Sequence, residues 1–292
     1  MQKNKLNKKI RIGYYSADFR EHAMSYLLAN LFEQHDKTKF ELIAFSFGSG
    51  KNDEIRNRIS SSFDKFIDVN LKSDKEIFQL SRDLKIDIAV DLMGFTQNSR
   101  FNIFFQRCAP IQVNYLGYPG TLSANCIDYL IADKILIPKE NQKYFSEKIV
   151  YMPDSYQVND SKRKISDKIF TKKELNLPED GFVFCCFNQS YKITPYVFDI
   201  WMRLLRRVEG SVLWLMKDSD IGLNNLKNEA QKRGVEPDRM IFAEKMSNVE
   251  HLARHRLADL FIDTFPYTAH TTCSDALWSG LPVITRMGES FV

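Results

Sequence analysis

Short apolar runs and amphipathic stretches alternate along most of this chain. From Arg11 the order is "RIGYYS", "MSYLLANLFEQH", "FELIAFSFG", "DKEIFQLSRDLK" and "IDIAVDLMG". A brief continuous apolar run reads as a strand buried on both faces, and apolar residues three and four apart read as one face of a helix. The order is therefore strand, helix, strand, helix, strand. Further strands are predicted at "IQVNYLG", "IDYLIAD" and "KIVYMP", which completes a first α/β unit over residues 1–153. The pattern then lapses. Residues 154–174, "DSYQVNDSKRKISDKIFTKKE", are polar and charged and predict a linker. Alternation resumes with "GFVFCCF", "ITPYVFDIWMRLLRRV", "SVLWLMK", "IGLNNLKNEAQKRG", "RMIFAE", "NVEHLARHRL", "ADLFIDTF", "TTCSDALWSG" and "LPVIT". A second α/β unit over residues 175–292 follows from it, with short buried strands between helices. The sequence stops at "GESFV" without the closing helix of such a unit, so this second unit is expected to be incomplete. No segment recurs with a period that would make a helical-repeat array.

Composition narrows the class without changing this picture. With 44% hydrophobic, 13% aromatic and 27% charged residues, the chain reads as an ordinary globular protein and not as a disordered or fibrous one. The net charge of +4, from 41 basic and 37 acidic residues, is spread along the chain except in the basic start "MQKNKLNKK". That gathers no basic stripe, so no nucleic-acid partner is expected. The start runs straight into "IRIGYYSADF" without an apolar core or a small-residue cleavage site, and no apolar run reaches spanning length, so neither a signal peptide nor a membrane partner is expected. Cys108, Cys126, Cys185, Cys186 and Cys273 lie in apolar or strand-like surroundings with no C-x-x-C spacing, which fits a reducing cytoplasm.

Two nucleotide motifs are excluded by their spacing. "RIGYYSADFREH" has one glycine where a dinucleotide fold needs G-x-G-x-x-G, so no nicotinamide cofactor is expected. "FGSGKND" contains Gly-Ser-Gly-Lys, but Phe45 stands at the first glycine of a phosphate loop and Asn52 at its Ser or Thr.

Ligands of open α/β sheets lie beyond the carboxyl ends of strands, so the loops that follow strands carry the candidate chemistry. In "SADFREHAMS", His22 precedes a helix; alone, a loop histidine reads most simply as a surface residue. In "LGYPGT", Gly117, Pro119 and Gly120 make a tight turn, with Thr121 at its end. In "CCFNQSYKITP" the strand ends at Phe187, and Asn188, Gln189 and Lys192 precede a helix beginning near Pro195. Lys192 there is either a solvated surface group or a partner for an anion, because helix starts present free amide donors and partial positive charge. The fourth loop, "PYTAHTT", follows "ADLFIDTF" and places Thr271 or Thr272 as the helix N-cap. Capping leaves His270, the second threonine and Asp275, on the helix's first turn, unexplained. Donors clustered at a positive helix end suit a diphosphate, and a carboxylate one turn on suits a ribose hydroxyl. No D-x-D pair offers a metal site, so no metal is expected and protein donors would stabilise a departing diphosphate.

Taken together, "GYYSADFREHAMSYLL", "IDIAVDLMGFTQNSR", "APIQVNYLGYPGT", "SEKIVYMPDSY", "FNQSYKITP" and "EHLARHRLADLFIDTFPYTAHTTCSDALWSGLPVIT" resemble the catalytic region of the O-linked N-acetylglucosamine transferase and Spindly family. The blocks run in the family's order from about Arg11 to the last residue. The resemblance implies an α/β fold of GT-B type, two Rossmann-like domains with mostly parallel sheets facing a cleft. It implies an inverting, metal-independent transfer of N-acetylglucosamine from UDP-N-acetylglucosamine to Ser or Thr of a protein or peptide acceptor, with no cofactor. Carried over by motif, it makes His22 the active-site histidine, for acceptor positioning or proton relay, and Lys192 the lysine at the diphosphate with Gln189 its neighbour on the nucleotide. It puts His251 and Arg254 on the uracil, His270, Thr271 and Thr272 on the phosphates, and Asp275 on the ribose. The turn of Gly117, Pro119 and Thr121 would line the sugar side. Only about ten residues precede the first strand, so the family's acceptor-presenting tetratricopeptide repeats are not expected in this sequence, and the absence of the long inserted domain of animal members between Ser155 and Leu175 suggests a compact bacterial type. Two alternatives stand beside the main reading: O-fucosylation from GDP-fucose, as in the Spindly branch, and a non-catalytic sugar-nucleotide-binding fragment.

Overall fold

In the computed structural model, residues 9–48 and 53–289 are described. The first eight residues of the basic start, residues 49–52 of the rejected phosphate-loop stretch and the last three residues lie outside the described residues. The described chain falls into two compact units, one ending at Lys162 and the other beginning at Arg163.

The first unit runs β1 (Ile10–Ser16), α1 (Ala23–Gln34), β2 (Phe40–Ser46), α2 (Glu54–Ser62), β3 (Lys65–Asp68), α3 (Asp74–Asp83), β4 (Ile88–Asp91), α4 (Asn102–Phe105), β5 (Ile111–Asn114), β6 (Tyr129–Ala132) and β7 (Lys148–Tyr151). Its strands form one parallel sheet in the order β3-β2-β1-β4-β5-β6-β7. Side chains alternate across a strand, so the neighbours Tyr14 and Tyr15 of β1 serve opposite faces. Tyr14 meets Phe32 edge-on at 5.1 Å, within a cluster that includes Phe19 and Phe63. Tyr15 stacks on Phe45 at 4.4 Å and meets Phe104 edge-on. Both faces of the sheet are thus packed, as the continuous apolar run of β1 requires.

The sequence pattern omits α2 and β3. In α2, "EIRNRISSS", only Ile55 and Ile59 are buried apolar residues, and the helix is held instead by Asp53, whose carboxylate caps it at the Arg56 amide. The edge strand β3, "KFID", has no fully buried residue.

The second unit runs β8 (Val183–Cys186), α5 (Pro195–Arg207), β9 (Val212–Met216), α6 (Asp220–Lys232), β10 (Met240–Ala243), α7 (Asn248–Arg254), β11 (Leu260–Ile262), α8 (Thr271–Trp278) and β12 (Val283–Ile284). Its parallel sheet is ordered β10-β9-β8-β11-β12. Trp214, Trp201, Phe187 and Phe261 fill its core, each such side chain contributing about 2–3 kcal/mol of burial. Thr194 caps α5 and Pro195 opens it, a position where the missing amide costs nothing.

The two units divide inside the polar stretch 154–174, and residues of that stretch pack on each unit. On the first unit's side, buried Asp160 takes both guanidinium nitrogens of Arg58 at 2.6 and 3.0 Å, and Ser161 bonds Asn30. On the second unit's side Arg163 and Phe170 are buried, and the Ser166 amide donates to Val249 O at 3.0 Å. Strand order reverses between β1 and β4 in one sheet and between β8 and β11 in the other. Loops leaving the carboxyl ends at such reversals splay apart and leave a crevice, which is where ligands of open α/β sheets bind.

Candidate functional site

The loops after β8 and β11 flank the reversal in the second sheet, and they are tied together. Asn188, buried just beyond β8, donates from Nδ2 to Asp263 Oδ1 at 2.9 Å and to Thr264 Oγ1 at 2.8 Å. Asp263, just beyond β11, also receives the amides of Thr264 and Ala269 at 2.7 and 2.9 Å and the Thr285 hydroxyl at 2.7 Å. One carboxylate therefore shapes the whole loop from 264 to 269. That loop contains a cis peptide between Phe265 and Pro266.

On this frame lies a cluster of donors. Lys192 is half-buried in a short 3-10 turn, donates from Nζ to Thr268 O at 3.1 Å and sits 4.0 Å above the Tyr267 ring. The His270 ring lies 6.2 Å from that same Tyr267 ring. Burial holds the Lys192 ammonium below the ordinary lysine range, with Asp263 opposing. His270 is pushed down to about 4, by burial first and by Lys192 second. Lys192 and His270 thus share one patch, and among the described residues no carboxylate forms an ion pair with Lys192.

The helix start differs from expectation. His270, not a threonine, is the N-cap of α8, and its side chain makes no capping bond. Thr271 and Thr272 are the first two helical residues. The Thr272 hydroxyl donates to Asn188 Oδ1, so it anchors the helix to the β8 loop. The first amides of α8 are accordingly left without a side-chain acceptor, an arrangement that favours an anion. Asp275 is the fifth helical residue, on the second turn rather than the first. It is buried, and its Oδ1 takes Arg163 Nη1 at 2.6 Å. Burial raises its acid pKa and the guanidinium pulls the other way.

His251 and Arg254 lie on one face of α7. Arg254 is fully buried, donates to Glu244 O at 2.7 Å and lies 4.8 Å above the Phe187 ring. Its Nη2 also lies 2.5 Å from His251 Nδ1. A guanidinium only donates, so His251 Nδ1 accepts and the neutral ring carries its proton on Nε2. Burial and the neighbouring His255 push His251 to about 2. Gln189 is exposed beside the 3-10 turn.

In the first unit, His22 is the N-cap of α1. Its Nδ1 lies 3.3 Å from the Met24 amide and 3.5 Å from Asp18 Oδ2. Burial lowers its pKa, Asp18 raises it and Arg20 lowers it. The loops after β1, β4 and β5 touch one another: the Ser16 hydroxyl and Ala17 amide donate to Met93 Sδ, and Gly117 packs on the backbone of Leu92. Pro119 is buried, and the Thr121 hydroxyl donates to buried Glu147 at 2.7 Å, so it serves the turn's own structure.

Sequence reasoning left out Asp263, Tyr267 and Arg163. Asp263 had a signal, an acidic residue closing the apolar run "ADLFI"; Tyr267 and Arg163 had none, because their partners lie far away in sequence. Among the described residues, no three His, Cys, Asp or Glu side chains gather as a metal-ligand set, and no helix is long and apolar enough to cross a membrane.

Comparison with known proteins bears on this geometry. The profile of Glycosyl transferase family 41 matches residues 1–170 and 162–292. The probable UDP-N-acetylglucosamine–peptide N-acetylglucosaminyltransferase SEC of Arabidopsis thaliana is 39% identical over 283 residues, which are 95% of this chain and 29% of that protein. The probable UDP-N-acetylglucosamine–peptide N-acetylglucosaminyltransferase SPINDLY of the same plant is 30% identical over 289 residues, 96% of this chain and 31% of its own length. A mutant O-GlcNAc transferase of Thermobaculum terrenum superposes with a TM-score of 0.89 at 30% identity, covering 97% of this chain and 54% of that one. An Anabaena protein solved with UDP-glucose, 12% identical with a TM-score of 0.57 over 94% of this chain and 79% of its own, shares the fold alone. With the two parallel sheets, these matches make the fold α/β of GT-B type. The chain spans about a third of the length of the curated relatives it matches.

Proposed function

Since the chain belongs to glycosyl transferase family 41, we propose that it transfers N-acetylglucosamine from UDP-N-acetylglucosamine to serine and threonine hydroxyls of a protein acceptor. The transfer is inverting and needs no metal. The observation that carries this reading is the half-buried Lys192 ammonium beside His270, at the start of a helix whose first amides have no side-chain cap. A cation partly withdrawn from water without a carboxylate partner is costly unless an anion completes it.

In the reaction, the acceptor oxygen forms a bond to the anomeric carbon while the bond from that carbon to the β-phosphate oxygen breaks. Lys192, the Thr271 hydroxyl and the α8 amides take up the charge that grows on the departing UDP. Thr272 contributes by fixing the helix start against Asn188. His251 and Arg254 hold the uracil, Asp275 the ribose, and Gln189 the nucleotide's open side. His22 has two hydrogen-bonding states. With the Met24 amide on Nδ1 the ring proton is on Nε2, and the ring positions the acceptor oxygen. With the proton on Nδ1 facing Asp18, Nε2 takes the acceptor's proton and the resulting imidazolium is paired with that carboxylate. The turn of Gly117, Pro119 and Thr121 serves the sugar side through its backbone, since the Pro119 ring is buried and the Thr121 hydroxyl is bonded to Glu147. Buried Cys108, Cys126, Cys185 and Cys186 and half-buried Cys273, all free thiols, suit a cytoplasmic setting.

The test is donor hydrolysis and peptide transfer by the chain and its Lys192→Ala variant. Losing one preorganised donor to a transition-state oxyanion costs roughly 3–4 kcal/mol, so turnover should fall about 10²–10³-fold with an unchanged circular dichroism spectrum. An active Lys192→Ala protein rejects the role. Titration with UDP and GDP separates this reading from fucosyl transfer, and tight UDP binding with no turnover favours a binding fragment. Turnover that EDTA abolishes and Mg²⁺ restores would contradict the metal-free step.

A further inference from the structure

Arg163 stands outside every motif, in the stretch whose composition predicts a linker, yet it is more deeply embedded than most residues of the candidate site. Its Nη1 donates to Asp275 Oδ1 at 2.6 Å, its Nη2 lies 3.3 Å from Asn248 Oδ1, and its carbonyl accepts the Trp278 indole at 3.3 Å. Side-chain exposure is 3% for Arg163 and 9% for Asp275. Asp275 and Trp278 belong to α8, whereas Asn248 opens α7 one turn before His251. The guanidinium is therefore a buried fork between the two helices, and it is close enough to His251 to hold that ring's pKa down. Three residues later the Ser166 amide binds Val249 O, which lays the same backbone along α7.

We infer that Arg163 is the positioning residue of the nucleoside half of the site: by gripping one oxygen of Asp275 and the side chain of Asn248, it holds the ribose-binding carboxylate in register with the base-binding His251. The inference rests on the nucleotide reading proposed above. A carboxylate held by one oxygen keeps the other for a ligand, and Asp275 Oδ2 meets no protein donor among the described residues. Two ribose hydroxyls are the donors that a single fixed carboxylate oxygen suits. Arg is the residue type for the task, because a planar fork fixes two acceptors at once whereas an ammonium is a point charge.

The test is calorimetric titration of the chain and its variants with UDP and with 2′,3′-dideoxyuridine diphosphate, which lacks the hydroxyls. Arg163→Met should weaken UDP binding roughly 10- to 100-fold, the loss of one charge-assisted hydrogen bond, and change dideoxy binding less than about twofold. Asp275→Asn should show the same pattern, and the double variant should be no weaker than Asp275→Asn alone. Asn248→Ala, which leaves the ion pair intact, should lose UDP affinity severalfold and keep dideoxy affinity, so a poorly folding Arg163→Met does not end the test. Equal losses for both ligands, or none in either Arg163→Met or Asn248→Ala, overturn the inference while leaving the nucleotide reading in place. A wild-type chain that binds neither UDP nor GDP overturns both.

Discussion

His270 is kept neutral down to about pH 4 by burial and by the nearby Lys192 ammonium. A diphosphate arriving at that patch reverses the second influence and favours the protonated ring, so binding draws in a proton. Calorimetry of UDP binding near pH 5 in buffers of different ionisation heat should register this uptake, and His270→Asn should lose it. Equal uptake in wild type and variant would place the phosphates elsewhere. The same residue shows what sequence reading can and cannot supply. The association of His270 with Lys192 was legible, because each sits in a loop leaving a strand beside the sheet's reversal. That Thr272 is spent on Asn188, 84 residues away, was not, since a hydroxyl's partner is decided by tertiary contact and not by its neighbours in sequence.

At the scale of elements, the β4 and β5 loops are held together by the absence of a side chain. A Cβ on Gly117 would lie 2.0 Å from Leu92 O, so Gly117→Ala must push apart two loops that meet at the candidate acceptor side. The expected destabilisation is about 3 kcal/mol, the upper range for overpacking, read as a lower urea midpoint. An unchanged midpoint would show that the loops yield freely. Strongly apolar elements such as β1, β8, β9 and α5 were legible because their burial pattern is written in consecutive residues. The short helix α2 and edge strand β3 were not, because a two-isoleucine face among serines and arginines carries almost no periodic signal. Composition marks the stretch 154–174, inside which the two units divide, but registers only that Asp160 and Arg163 are charged, not that each is itself buried in an ion pair.

For the whole molecule, acid should weaken the second unit through its buried histidines. In the second unit His255, 1% exposed, is pushed down from 6.5 to about 4 chiefly by burial. Such a depressed imidazole takes up its proton when unfolded and not when folded, so stability is intact above about pH 7, declines from about 6.5 and levels off near 4. His255 alone accounts for about 3 kcal/mol over that window, and His251 and His270 add in the same direction. In the first unit, burial lifts Asp91 to about 6, which makes its folded form the better proton binder between about 4 and 6 and offsets part of any loss there. All three tryptophans, Trp201, Trp214 and Trp278, lie in the second unit, so their fluorescence in urea reports that unit. Their midpoint should fall between pH 7 and pH 4.5, and His255→Asn should flatten the dependence; a pH-independent midpoint would contradict the assignment. Strand order also bears on how the protein is made. β1 and β8 are each the earliest strand of their unit to leave the ribosome, yet each occupies an interior place that stays half-vacant until β4 or β11 has been synthesised. A nascent chain therefore carries sticky, unpaired central strands through many seconds of translation, which makes it a natural client of holding chaperones and sensitive to how fast its middle codons are read.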